Sequence, residues 1–180
     1  LEKMRPAEKT YQYYLSHFLN TYGNSKYIGL DKVYVHLALD YYNKGLAPWA
    51  SEENRKEIVT NAKKMEPTLL GKVAPDFTSY MEDGTPFTLS KFDADFTILL
   101  FWAPDCGHCT KAVPYLKTVQ EKYGEQGVKV VTVCNKAAKK FDTCWEGVKE
   151  KKMESFINTG DQYRVPYTLN KYNVLNTPLI

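Results

Sequence analysis

Over roughly the first third of the chain, apolar side chains recur at the helical spacing of three or four residues. Tyr11, Tyr14, Leu15, Phe18, Leu19 and Tyr22 form one such series, and Gly23-Asn24 stops it. Tyr34, Leu37, Ala38 and Tyr41 form a second, ending near Gly45. Ser51, with Asn54 nearby, opens a third, in which Ile58, Ala62 and Met65 share a face before Pro67. This part is expected to be a small all-α domain over residues 1–68, packed on its own tyrosine-rich core. The tyrosine stripe could also serve as a ligand platform, but bulky amphipathic rings at helical spacing are read first as packing. His17 and His36 are read as ordinary surface or packing residues.

From Lys72 the pattern changes to short strand-like runs. Residues 77–80 and 87–89 flank Asp83-Gly84, a turn signal between strands. Residues 97–102 (TILLFW) are continuously apolar, as for a strand covered on both faces. Residues 110–123 fit a helix ended by Gly124 and Gly127, and residues 128–133 fit a second buried strand. Residues 142–152 read as helix, and Phe156-Ile157 begins another strand. Such β-α-β-α alternation predicts an α/β domain with parallel central strands over residues 69–180.

Composition narrows the function class more than the fold. Net charge is +3, from 24 basic and 21 acidic residues, which gives no reason to expect a nucleic-acid partner. The basic run at 136–140 (KAAKK) reads as a solvated loop. No window approaches the roughly 20 apolar residues of a membrane helix. The chain begins at Leu1, so it is expected to be trimmed, and the lack of a leader says nothing about its address. No glycine-rich loop or cluster of metal-type ligands points to a cofactor, and none is expected.

Four cysteines are too few for a disulfide scaffold at this length. Cys106 and Cys109 form C-x-x-C directly after the apolar run, where a strand gives way to a helix. First-turn amides of a helix are unpaired and carry partial positive charge, so a sulfur there is stabilised as thiolate. That lowers a cysteine pKa from about 8.5 into the range of roughly 3.5 to 7.5. The spacing lets Cys109, one turn along, close a disulfide with Cys106. His108 between them is a candidate cationic neighbour, or simply an exposed turn residue. Pro114 would break most helices, and a kink after the first turn is compatible with this motif.

Rival chemistries lack their partners. Zinc would need Cys134, Cys144 or a histidine to complete the set, and no second C-x-x-C or H-x-x-x-H is present. Haem attachment needs His where Thr110 stands, and a peroxiredoxin would need Thr or Ser at the place of Ala103. Cys134 ends a predicted strand and Cys144 begins the next helix, so both fall on the active-site side of the sheet. They are either a second disulfide or two separate, partly buried thiols.

The motifs spread over residues 72–180 resemble a family. Val73-Ala-Pro-Asp-Phe77, Gly84, Leu89-Ser-Lys-Phe92, Phe101-Trp-Ala-Pro-Asp-Cys-Gly-His-Cys109, Pro114 and Asn176-Thr-Pro-Leu-Ile180 occur in that order. They are similar to the TlpA/ResA-like thioredoxins (redoxin domains of the AhpC/TSA type) of bacterial envelope lipoproteins. The helical part resembles, by arrangement, the domain often fused before them. The resemblance implies a thioredoxin-like fold in which Cys106 is the attacking thiol and Cys109 the resolving thiol. Trp102, Pro104, Gly107 and His108 would shape the site, and Thr177-Pro178 would be a cis-proline turn against the dithiol.

It further implies thiol–disulfide exchange with protein disulfide or dithiol clients in the bacterial periplasm or cell envelope. An upstream thiol reductant would serve the pair, and a membrane would be met only through a lipid anchor outside this chain. A non-catalytic binding module of the envelope is the competing reading, and a thiol peroxidase a third.

Two positions depart from the family. Thioredoxins carry a buried acid where this chain has Leu100, and ResA-type reductases carry Glu where it has Ala112. The usual proton acceptor for the buried thiol is therefore missing from both places. The implied fold also needs two further strands and a helix after Pro178, so the chain is expected to be a C-terminally incomplete fragment.

Overall fold

The structure is a computed structural model and describes residues 1–161 and 165–180. It divides into two compact units, Leu1–Pro75 and Asp76–Ile180.

The first unit is helical: α1 (Glu8–Gly23), α2 (Asp31–Leu37) and α3 (Glu52–Met65). Tyr11, Leu15 and Leu19 recur every fourth residue along α1, and all three are buried. They meet Val35, Leu37, Ala38 and Tyr42 from the second helical stretch and Val59 and Ala62 from α3. Ser51 caps α3, its hydroxyl accepting the Asn54 N–H at 3.2 Å, and replacing such a cap costs about 1 kcal/mol.

Two features differ from expectation. After α2 the chain widens into a π turn at Ala38–Tyr42, where Asn43 N–H donates to the Ala38 carbonyl five residues back. The tyrosine stripe also divides. Tyr11 is buried while Tyr14 is 37% exposed. The core is thus mainly aliphatic, with Tyr11 and Tyr42 as its fully buried rings. Tyrosine tolerates both places because its ring is apolar and its hydroxyl is not.

The second unit is a five-stranded sheet in the order β2-β1-β5-β4-β3. The strands are β1 (Thr78–Tyr80), β2 (Pro86–Thr88), β3 (Phe96–Trp102), β4 (Val128–Cys134) and β5 (Ile157–Gly160). β1 and β2 form an antiparallel pair around the turn at Gly84, whose φ of 83° suits glycine. β3, β4 and β5 run parallel, with Trp102 opposite Cys134 and Cys134 opposite Gly160. The C-terminal ends of the central strands therefore share one edge.

Alternation along the strands sorts their side chains into two cores. Leu100, Trp102, Val130 and Cys134 face α4 (Gly107–Tyr123) and α5 (Asp142–Glu150) through Val113, Leu116 and Val148. Phe101, Val131 and Val133 face Phe77 and Phe87 on the other side, joined by Leu169 and Tyr172. Leu169 belongs to α6 (Val165–Lys171), a helix the sequence pattern does not reveal.

The apolar run ahead of the dithiol is covered only in part. Leu100, Phe101 and Trp102 are buried, whereas Ile98 and Leu99 are half-buried and Thr97 is exposed. The reason is positional: β3 ends the strand order, and both cores gather at its C-terminal half. Its outer side is bridged at Phe101 by Leu179, which exchanges backbone hydrogen bonds of 2.9 and 3.1 Å with it.

Candidate active site

β3 delivers the chain to the sheet edge at Trp102, and Ala103-Pro104-Asp105 turns it into α4. Cys106 is the N-cap of that helix. Its sulfur accepts the Cys109 N–H at 3.2 Å, the role a serine or aspartate oxygen usually plays. The side chain is half-buried and also lies 3.3 Å from the Thr177 carbonyl, to which a protonated Cys106 donates. Cys109 follows one turn later and is fully buried, packed among Leu100, Trp102, Val113 and Cys134. Gly107 and His108 are exposed in the turn between the cysteines.

The two thiols are driven apart electrostatically. Burial acts to raise Cys106, but hydrogen bonds outweigh it. The Cys109 thiol, the Thr177 side chain and the N–H groups of Cys109 and His108 all favour the thiolate, so its pKa is lowered. The part His108 plays among these is its backbone N–H. Burial first, then the hydrogen bond and charge of Cys106, push Cys109 up to about 11. No carboxylate stands at Leu100 or Ala112, and the core around Cys109 is apolar. The arrangement pairs one half-buried sulfur that is stabilised as thiolate with one buried thiol that holds its proton.

The remaining sequence-derived positions gather around this pair. The Thr177-Pro178 peptide is cis, and its carbonyl faces Cys106. Trp102 is 1% exposed and, with Pro104, lies against α5. Cys134 and Cys144 are joined in a disulfide with Cα atoms 6.0 Å apart, so the two-thiol alternative does not describe this state. Among the described residues, no three His, Cys, Asp or Glu side chains are grouped to hold a metal ion. None of the described helices is long and apolar enough to cross a membrane.

The approach of α5 depends on one glycine. A methyl group at Gly147 would stand 3.0 Å from the Trp102 ring and 3.1 Å from Pro104 Cβ. Gly147→Leu is therefore expected to destabilise the unit by about 1–2 kcal/mol, overpacking outweighing a gain in helix propensity. Thermal unfolding checks this, and an unchanged Tm would mean that α5 can withdraw freely.

Two features escaped the sequence. Lys136, read as part of a solvated run, is paired with Asp105, its Nζ 2.8 Å from the carboxylate. Its partner lies 31 residues away, so no local pattern could reveal the pair. The Thr177 carbonyl is likewise set by the backbone path and not by residue type.

Known proteins resemble the chain in both sequence and fold. The Redoxin family model matches residues 69–169, more than half of the chain. The thiol-disulfide oxidoreductase ResA of Bacillus thuringiensis subsp. konkukian (strain 97-27) is 34% identical over 74 residues, which is 41% of each protein. The chain thus spans about two fifths of the length of the curated relatives it matches.

A crystal structure from Cytophaga hutchinsonii, described as a domain of a possible thiol-disulfide isomerase, is 29% identical with a TM-score of 0.55. It covers 62% of this chain and 74% of its own. A thioredoxin-like protein from Bacteroides caccae has a TM-score of 0.69 over 82% of this chain and 52% of its own, at 18% identity, a likeness of fold alone. The expected thioredoxin-like fold is therefore the observed one. The chain belongs to the Redoxin family, with ResA-type proteins among its relatives in sequence.

Proposed function

We propose that the chain is a thiol–disulfide oxidoreductase that exchanges disulfides with proteins through Cys106 and Cys109. The observation that carries this reading is the asymmetry of the pair: the Cys106 sulfur caps α4 within reach of solvent, and Cys109 is buried one turn behind it. A thiolate at a helix N-terminus is the attacking form in disulfide exchange. Attack by Cys106 on a client disulfide releases one client thiol and leaves a mixed disulfide. Cys109, once deprotonated, attacks Cys106 Sγ, releases the second client thiol and closes Cys106–Cys109. The client is reduced by two electrons, and a thiol reductant must reopen the pair.

The cis turn at Thr177-Pro178 borders Cys106 and would receive the client backbone. Clients of the bacterial periplasm or cell envelope fit the Cys134–Cys144 disulfide, since buried structural disulfides belong to oxidising compartments. No nucleic acid, metal or cofactor enters the scheme. Reduction of insulin disulfides by dithiothreitol tests it. The protein should speed the reaction, and Cys106→Ser should remove the gain. No acceleration by the wild-type chain would leave the binding-module reading in its place.

A further inference from the structure

The loop after β4 is held at three points. At its base, Cys134 is bonded to Cys144 in the first turn of α5, and the two cysteines are 1% and 0% exposed. One residue on, the Asn135 N–H donates to the Trp102 carbonyl at 2.9 Å, which keeps the loop beside the strand leading to Cys106. Lys136 then reaches the Asp105 carboxylate at 2.8 Å. The lysine side chain is only 20% exposed although the carboxylate is 69% exposed, so the long stem is packed and the charge is aimed. The closed loop thus presents one ammonium to the residue immediately before Cys106.

Sign of charge gives this placement its consequence. An unpaired carboxylate one residue from the N-cap sulfur opposes a thiolate there, and a paired one does so far less. The Lys136 hydrogen bond is the main cause holding Asp105 below the usual carboxylate range, and Lys140 adds to it. Asp105 is therefore ionised wherever the thiol titrates.

We propose that Lys136 is a positioning residue of the dithiol site: it holds and neutralises Asp105 beside Cys106, and the Cys134–Cys144 disulfide is a structural strap that keeps it there, not a second exchange centre. The proposal rests on Cys106 being the attacking thiol. The groups that act on that sulfur directly are Cys109 and the His108 N–H on α4 and Thr177 in the C-terminal segment, while Asp105 precedes it in the chain and is itself held by Lys136, with Lys140 adding to the positive charge on that carboxylate. Burial of Cys134 and Cys144 leaves neither sulfur open to a client or to Cys106 in trans.

The test is the pH profile of Cys106 carboxamidomethylation by iodoacetamide, followed by mass spectrometry on the full chain with Cys106–Cys109 reduced. Lys136→Met should move the profile to higher pH and slow alkylation below its midpoint by about two- to five-fold at low salt, the size expected of an exposed pair. Asp105→Asn should not slow it, and Asp105→Asn with Lys136→Met should match Asp105→Asn alone. A merely structural role for Lys136 would slow both lysine variants alike.

Cys134→Ala with Cys144→Ala should reproduce the Lys136→Met profile. A wild-type profile there overturns the strap. If that variant does not fold, the Lys136 and Asp105 variants still decide the charge argument. An unchanged Lys136→Met profile, or a double variant as slow as the single one, overturns the proposal. A wild-type Cys106 with no thiolate-type profile would instead strike at the oxidoreductase reading beneath it.

Discussion

Replacing Cys109 with serine is expected to turn the protein into a trap for disulfide-bearing clients. Cys106 is exposed enough to attack and retains its helix N-terminus, so the first half of the exchange survives. The second half needs a thiolate at position 109, and a serine hydroxyl is far too weak an acid to replace it at neutral pH. Release should slow by at least about a thousand-fold, as when a nucleophile is deleted outright. The adduct should appear on non-reducing gels and vanish with dithiothreitol. Cys106→Ser should give no adduct, because Cys109 is fully buried. Equal trapping by both variants would reverse or dissolve the assignment of roles.

The second large effect is on pH. Release of a client requires Cys109 to lose its proton into apolar surroundings, and burial is the first cause pushing that thiol up to about 11. In the mixed disulfide the Cys106 charge is gone, which removes two of the lesser raising causes but leaves burial. The release rate should therefore climb about ten-fold per pH unit through neutrality and bend between an ordinary thiol value of about 8.5 and the reduced pair's own value.

The measurement is single-turnover release from a preformed mixed disulfide between pH 6 and 10. A flat profile would mean that some base accepts the proton at neutral pH. Ala112→Glu, which supplies a carboxylate three residues beyond Cys109, should move the bend to lower pH.

The site was legible in the sequence wherever chemistry follows from local order. An apolar run ending in C-x-x-C before a helical pattern places a sulfur at a helix N-terminus, and Cys106 is there. Cys134 and Cys144 were legible as neighbours, because a strand end and the following helix start lie on one side of a parallel sheet. Their bonding was not, since it depends on how far α5 leans in, which Gly147 permits.

What stayed hidden was set by register and packing. Residues 97–102 read as one buried strand, yet hydrophobicity cannot say that the cores gather at only one end of it. α6 is short and carries a proline in its first turn, so it offers too little periodicity to stand out. Lys136 looked like any lysine in a basic run until the sheet brought it beside Asp105.

Cys106 and Cys109 are proposed as the pair that cycles between dithiol and disulfide. An equilibrium titration of the full chain against glutathione, with thiols counted and located by mass spectrometry after alkylation, tests this assignment most directly. A single two-thiol transition assigned to Cys106 and Cys109 is expected, with Cys134–Cys144 oxidised throughout. A chain in which Cys106 and Cys109 never close, or in which Cys134–Cys144 is the pair that titrates, would contradict it.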